Sequence, residues 1–295
     1  MPRILLTGKN GQIGWELRCT LGVLGEVIAL GREEMDLAIS DAIRARIREI
    51  KPDIIVNAAA YTAVDKAESE PDIAMAVNGV APGIMAEEAK RLSALLVHYS
   101  TDYVFDGTKS SPYTEEDSPN PLSVYGKTKL AGERAIQASG APHLILRTSW
   151  VYSGRGSNFL LTILRLARER DELRIVDDQV GAPTSSIAIA EATARILTQS
   201  ALPITELNGI YHLSAAGHTT WFNFAKEIIE LAGRDRPSRP KLIPISSEEY
   251  AAPAKRPRNS ILDNTRFRTS FGFELPAWEL SLKHCLAEYE QLPAV

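Results

Sequence analysis

The sequence predicts an α/β fold: a doubly wound parallel sheet with a smaller C-terminal lobe. Three observations carry this expectation. Short apolar runs alternate with amphipathic stretches through the first half of the chain, three evenly spaced glycines follow the first run at once, and the rhythm turns irregular after Trp150. Such alternation specifies a parallel sheet covered by helices on both faces.

The strands come from the apolar runs. Arg3–Thr7, Glu26–Leu30, Asp53–Asn57, Leu95–Ser100 and His143–Arg147 are short, rich in Ile, Leu or Val, and end in small or polar residues. Between them, Ser40 is placed to cap a helix running to Ile50, with Ile43, Ile47 and Ile50 on one face. A second helix runs from about Asp72 to Arg91 and a third from about Tyr125 to Ala138. Ligands of such sheets bind beyond the carboxyl ends of the strands. Thr7-Gly8, Asn57-Ala58, Ser100-Thr101 and Arg147-Thr148-Ser149-Trp150 should therefore line one crevice. Loops rich in Gly, Pro and Ser follow at Ser153–Ser157, Val180–Ser186 and Arg234–Pro244. A boundary near Gly154 makes residues 1–153 a dinucleotide-binding domain. Residues 154–295 become mainly a substrate-binding lobe, with segments such as Leu173–Val176 returning to the main sheet.

Composition narrows the function. Apolar residues make up 44% of the 295 positions, enough for a sizeable core, and the net charge of −4 does not favour nucleic acid as a partner. Cys19 and Cys285 lie far apart and read as free thiols of a reducing compartment. Met1–Gly8 enters structure without the charged leader and apolar stretch of a signal peptide. No apolar run approaches the ~20 residues of a membrane span. The expectation is a cytoplasmic protein without a membrane partner.

Gly8, Gly11 and Gly14 stand three apart directly after the first strand. Glycine permits a tight turn and close backbone approach, and the next helix points its free N–H groups at a pyrophosphate. Within a β-α-β unit this reads as a Rossmann-like dinucleotide site; on spacing alone it is a strand-to-helix turn. The second strand ends Ala29-Leu30-Gly31-Arg32, with no acid at its tip to grip a ribose 2′-hydroxyl. Arg32 suits a 2′-phosphate, so the reading leans to NADPH over NADH, although Glu33 and Glu34 follow at once and Arg32 equally fits a solvated surface. Asp36-Leu37 is either a turn or a neighbour of the adenine. The small residues Ala58, Ala59 and Ala60 would let a flat cofactor lie against the backbone, or serve tight helix–sheet packing.

Tyr125 and Lys129 are four apart on the third helix and share a face. A free phenol titrates near ~10 and is a poor acid–base catalyst at neutral pH. A nearby ammonium favours phenolate and lowers that value. Lys129 could also hydrogen-bond a nicotinamide ribose, and Thr101, at a strand end in the same crevice, could steer the shared proton. Alone, the pair is an ordinary surface helix pair; together with the glycine loop and Thr101-Asp102 it reads as proton-transfer machinery. His98 lies inside a buried strand and reads as a packed or hydrogen-bonded histidine.

The glycine pattern, Asn57-Ala58-Ala59, Ser100–Gly107 and the Tyr125/Lys129 pair together resemble the extended short-chain dehydrogenases/reductases. Tyr61–Glu68, Arg147–Tyr152, Asp178–Thr184 and Arg256–Asp263 narrow the resemblance to the dTDP-4-dehydrorhamnose reductases. The resemblance covers nearly the whole chain. It implies hydride transfer to C4 of a nucleotide-linked 4-keto-6-deoxy sugar, in the supply of dTDP-rhamnose for cell-surface polysaccharide. Tyr125 would protonate the oxygen, Lys129 would tune Tyr125 and hold the ribose, and Thr101 would assist. By the family pattern Asn10, Gly11, Gln12, Ile13, Asp36, Leu37, Ala59, Ala60, Tyr61, Thr62, Tyr125 and Lys129 meet the cofactor. Thr101, Asp102, Tyr103 and Trp150 meet the substrate. Trp150 also fits an aromatic packed under a loop, Asp102 a turn cap. Arg256 and Arg258 would face the substrate pyrophosphate, since paired guanidinium groups suit phosphate oxygens, or form a solvated basic loop.

Magnesium is associated with this family. No cluster of hard-oxygen ligands stands out, and Glu16 would serve only with ligands from a second subunit. Members are monomers or homodimers. Two other functions share the architecture: a regulatory subunit that binds a dinucleotide without turnover, like the beta subunit of methionine adenosyltransferase, and a related nucleotide-sugar epimerase. Thr101, Tyr125, Lys129 and Trp150 are all present, against the first. No extra cysteine–histidine pair is evident for the second.

Overall fold

The computed structural model describes residues 1–199, 208–232 and 239–291. The N-terminal half is built from β1 (Arg3–Thr7), α1 (Gln12–Thr20), β2 (Glu26–Leu30), α2 (Ser40–Ile50) and β3 (Ile54–Asn57). It continues through α3 (Val64–Ala67), α4 (Pro71–Met75), a π-helical turn at Ala76–Val80, α5 (Ala81–Leu92), β4 (Leu95–Thr101), α6 (Val124–Ser139) and β5 (His143–Thr148). The C-terminal half adds α7 (Phe159–Glu169), β6 (Glu172–Val176), β7 (Val180–Gly181), α8 (Ser186–Gln199), β8 (Gly209–His212) and β9 (Thr219–Thr220). It ends with α9 (Trp221–Ala232), β10 (Lys241–Ile245), α10 (Ser247–Tyr250), α11 (Thr265–Phe271) and α12 (Trp278–Gln291).

The main sheet has the order β2-β1-β3-β4-β5-β8, every pair parallel. This is the doubly wound, Rossmann-like arrangement, and the order reverses between β1 and β3, where a crevice opens beyond the strand ends. Successive strand residues feed opposite faces. Ile4, Leu6, Val56, Val97, Leu144 and Leu146 pack with Leu17 of α1, Leu21 just after it, and Ile189 and Ile196 of α8. Leu5, Ile55, Leu96 and Ile145 pack with Ile43 and Ile47 of α2, Ile84 and Met85 of α5, and Ile136 of α6. Burial on both faces explains why the strands read as continuous apolar runs.

The C-terminal lobe has its own core, including Leu160, Ile163, Leu173, Ile175, Phe224, Ile228 and Leu282. Two expectations are corrected here. Leu173–Val176 does not join the main sheet; β6 pairs in parallel with β10, and β8 supplies the sixth main-sheet strand. The loop expected at Arg234–Pro244 lies partly outside the described residues, and its last part, from Lys241, is strand β10. Pro244 is tolerated there because β10 is an edge strand with a single partner. In the N-terminal half, Ser40 is the first helical residue of α2 and makes no capping bond; Ile39 holds the cap position. The helix expected from Asp72 to Arg91 is interrupted by the π turn. No helix among the described residues is long and apolar enough to cross a membrane.

Candidate active site

A cleft of about 990 Å³ opens along the carboxyl ends of the main-sheet strands. Its near end is the glycine loop. Gly8, Asn10, Gly11, Gln12 and Ile13 all line it. Gly8 adopts φ +74°, and a Cβ there would stand 2.8 Å from the Ala59 backbone. Gly14 does not line the cleft. It lies behind the loop, where a Cβ would come within 2.0 Å of the Gly8 carbonyl, so it serves close helix–loop packing. Gln12 ties the loop to the other lobe: its Oε1 accepts from Ser153 Oγ (3.1 Å) and Asn158 Nδ2 (2.9 Å).

Arg32, Asp36 and Leu37 line the same end. The Arg32 side chain is 76% exposed, with its Nε 3.3 Å from Asp36 Oδ2. An acid does reach the tip of β2, unlike the expectation from sequence. Glu34 accepts from the Gly31 N–H (2.6 Å) and from Lys9 Nζ (2.6 Å). Both carboxylate oxygens are thus engaged, while the Arg32 guanidinium faces solvent.

Ala59, Ala60, Tyr61 and Thr62 form the middle wall. This loop is held by Asn78, which the sequence reading missed. Its Oδ1 accepts from the Tyr61 N–H (2.8 Å) and its Nδ2 donates to the Tyr61 carbonyl (3.0 Å). Asn78 sits on the π turn, and such turns recur at functional sites because the extra residue re-aims a side chain. The signal was an asparagine buried in an otherwise apolar helix.

Tyr125 and Lys129 lie at the far end, both in the wall with Tyr99, Ser100 and Thr148. Ser123 caps α6, its Oγ accepting from the Gly126 N–H (3.2 Å), which fixes where Tyr125 enters the cleft. Gly126 and Gly132 let α6 approach: a Cβ on either would fall 2.2 Å from a carbonyl, of Tyr103 and Asn78 respectively. The Thr101 hydroxyl is within hydrogen-bonding reach of the Tyr125 phenol. It also donates to Asp102 Oδ1 (2.9 Å) and accepts from the Tyr103 N–H (3.1 Å). Burial pushes Tyr125 up to about 12, with the Thr101 bond opposing and the Asp102 charge adding. Burial likewise pushes Asp102 up to about 6, against hydrogen bonds from Ser260, Thr101 and Ser149.

The expectation that Lys129 lowers the phenol is not met in the open cleft. Lys129 Nζ donates to the Tyr99 carbonyl (2.6 Å) and lies 3.1 Å from His98 Nε2. Burial pulls Lys129 itself down to about 8, with Glu133 opposing. Burial is the largest influence on the phenol, so Tyr125 is held as a firm phenol.

The remaining substrate candidates stand outside the wall just described. Tyr103 meets Tyr125 edge-on, ring centres 5.9 Å apart. Trp150 is buried, adopts φ +43° and stacks on Trp221 at 3.6 Å and 3°. Gly181 lies beneath, where a Cβ would strike the Trp150 ring at 2.3 Å. Trp150 is therefore a packed aromatic in this structure, held in a strained backbone. Arg256 is pinned, its Nη2 2.8 Å from Asp65 Oδ2, and it also bonds Tyr103. Arg258 is exposed, so the two arginines do not act as one clamp here. Among the described residues no group of three His, Cys, Asp or Glu side chains is placed to hold a metal. Glu16 faces Arg155 and Glu288, and burial pushes its carboxyl up. The magnesium expectation finds no site among these residues.

Comparison with known proteins accords with this geometry. A dTDP-4-dehydrorhamnose reductase of Burkholderia thailandensis is 46% identical, covering 97% of this chain and 98% of its own. One of Escherichia coli K12 is 45% identical, covering 97% of each chain. The crystal structure of a dTDP-4-dehydrorhamnose reductase from Bacillus anthracis in complex with NADP superposes with a TM-score of 0.90 at 34% identity, over 97% of this chain and 99% of that one. The family described as RmlD substrate binding domain matches residues 2–291. By that near-complete match, and by relatives that align from end to end, the chain belongs to the RmlD substrate binding domain family.

Proposed function

We propose that this chain reduces the 4-keto group of dTDP-4-dehydro-L-rhamnose to give dTDP-L-rhamnose, using NADPH or NADH. The observation that carries the reading is the placement of Tyr125 and Lys129 in one wall of the cleft that starts at the glycine loop, with the Thr101 hydroxyl in reach of the phenol. Its relatives at 45–46% identity bear the matching name.

The residues present fit a nicotinamide dinucleotide. Gly8 and Gly11 line the cleft, Gly14 lets α1 pack close behind the loop, and the N-terminus of α1 presents free N–H groups to a pyrophosphate. In this reading Asn10, Gly11, Gln12 and Ile13 hold the pyrophosphate. Asp36 and Leu37 border the adenine, Arg32 faces a 2′-phosphate, and Ala59–Thr62 lie along the ribose and nicotinamide. Bound here, the reduced nicotinamide supplies the hydride. Residues 1–153 hold the dinucleotide and residues 154–295 mainly the sugar nucleotide. Two unpaired cysteines fit a cytoplasmic setting.

Tyr125 gives its proton to the C4 oxygen. A phenol held at about 12 stays protonated at neutral pH, which suits a donor in the reductive direction. Thr101 hydrogen-bonds the same oxygen and orients it. Lys129, as ammonium, steadies the phenolate left behind. Asp102 and Tyr103 frame the sugar. Trp150 would meet the sugar only by leaving its stack on Trp221, and Arg256 exchanges Asp65 for the substrate pyrophosphate.

The test is NADPH consumption with a panel of 4-keto-6-deoxy sugar nucleotides, product stereochemistry read by NMR. Formation of dTDP-L-rhamnose is the expected result. Tight dinucleotide binding without oxidation on any member of the panel would overturn the enzymatic reading in favour of a regulatory one.

A further inference from the structure

Behind the catalytic pair, a line of polar side chains runs through the interior. Thr7 Oγ1 donates to Asn57 Oδ1 (2.7 Å), and Asn57 Nδ2 lies 3.0 Å from His98 Nδ1. His98 Nε2 lies 3.1 Å from Lys129 Nζ, which donates to the Tyr99 carbonyl (2.6 Å). All five residues are buried. The reaction proposed above uses neither Asn57 nor His98.

Proton positions along this line follow from one fixed donor. The Ala59 N–H is shared between two acceptors, Asn57 Oδ1 (3.3 Å) and Thr7 Oγ1 (3.4 Å), the second of which itself donates to Asn57 Oδ1. A backbone N–H can only donate, so the amide oxygen faces Ala59 and the amide NH₂ faces His98. His98 Nδ1 therefore accepts, and the neutral ring carries its hydrogen on Nε2. Burial keeps the ring neutral, pushing its pKa well below the usual value, with Lys129 adding to the effect. The Nε2–H then meets Lys129 Nζ. An ammonium has only donors and would set N–H against N–H. An amine offers its lone pair to His98 and one N–H to the Tyr99 carbonyl, and keeps its other N–H for the cleft. The contacts seen are those of the amine.

We propose that His98 is a positioning residue that docks Lys129 in its amine form, and that protonation of Lys129 releases it from His98 into the cleft. The catalytic meaning of the release rests on the proposed function; the docking does not. Charge and position of the lysine thus change together: the ammonium arrives where a ribose hydroxyl and the Tyr125 oxygen can receive it. The titratable and charged groups facing Lys129 are His98 from β4, and Tyr125 and Glu133 from α6. Glu133 is held by Arg147 of β5 in a bidentate pair (2.9 and 2.7 Å). The Glu133 charge favours the ammonium and burial the amine, with the balance near 8.

The first test needs no variant. In protein labelled with ¹⁵N-histidine, long-range ¹H–¹⁵N NMR is expected to show His98 with its hydrogen on Nε2 on both sides of the lysine titration, its Nε2 resonance shifting as Lys129 titrates. A hydrogen on Nδ1, or an imidazolium at neutral pH, would overturn the docking. The second test is Asn57→Asp. A carboxylate only accepts, so it should move the His98 hydrogen to Nδ1, turn Nε2 into an acceptor and let the ammonium dock. The expected result is a reversed tautomer together with an alkaline limb of kcat displaced upward by about one pH unit. A reversed tautomer with the limb unmoved would overturn the release step. Failure of the wild-type protein to oxidise NADPH with any 4-keto sugar nucleotide, with the Nε2–H tautomer observed, would sink the functional reading and leave the docking supported.

Discussion

At the glycine-loop end the cleft is shaped by atoms that are missing; at the catalytic end it is shaped by side chains removed from water. Gly8 and Gly14 matter because nothing fits where their Cβ would be. Tyr125, Lys129, His98 and Asp102 matter because burial has moved each of their proton equilibria, Tyr125 and Asp102 up and Lys129 and His98 down. The first end should respond to added bulk and ignore pH. The second should tolerate isosteric change in shape but respond to any change in proton count.

The sharpest break of this contrast is Tyr125→Phe, which removes one oxygen. Turnover is expected to fall by about 10²–10⁴-fold with dinucleotide affinity kept, measured by NADPH oxidation and fluorescence titration. Normal turnover would remove Tyr125 as the proton donor. Gly14→Val attacks the other end. Forcing bulk against the Gly8 carbonyl should cost about 1–3 kcal/mol of stability and weaken dinucleotide binding at every pH, read by denaturant unfolding with and without NADP.

Lys129→Met should lower kcat and weaken dinucleotide binding together, and erase the alkaline limb near the lysine's own titration. It has a stability signature too. With its folded value pulled from 10.5 to about 8, Lys129 binds more protons in the unfolded chain between those limits. Wild-type stability should therefore rise with pH across that window, and the variant should lack that rise in urea melts. The smallest effect is expected at exposed Arg32. Arg32→Ala should weaken NADPH binding by about tenfold, worth ~1.4 kcal/mol, and leave NADH binding nearly unchanged. Equal loss for both would assign Arg32 to the surface.

Much of the sheet was legible because its inner strands are buried on both faces; β1 begins and ends where its apolar run does, and so does the less buried edge strand β2. Tyr125 and Lys129 were legible because helical spacing puts them on one face. What escaped was set by distant partners. The π turn that aims Asn78 at Tyr61 leaves only that asparagine as a local mark in Ala76–Val80, and its partner lies 17 residues away. β10 was hidden by Pro244, which reads as a breaker until its edge position is known. His98 looks like core filler from its neighbours in β4, and only the fold brings Asn57 and Lys129 to its two nitrogens. The direction of the Tyr125 shift was missed for a related reason: spacing gives proximity to a lysine, but not which way that lysine points or how much water the site excludes.

One of the two edge strands of the main sheet, β8, comes from the C-terminal half of the chain and closes the open side of β5. A fragment ending near the supposed boundary at residue 153 would leave the β5 edge bare, with unpaired N–H and C=O groups inviting a neighbour to add on. During synthesis the sheet stays unfinished until β8, at Gly209–His212, leaves the ribosome, well after β5 at His143–Thr148. Splitting the gene at that boundary should give two insoluble halves rather than two modules.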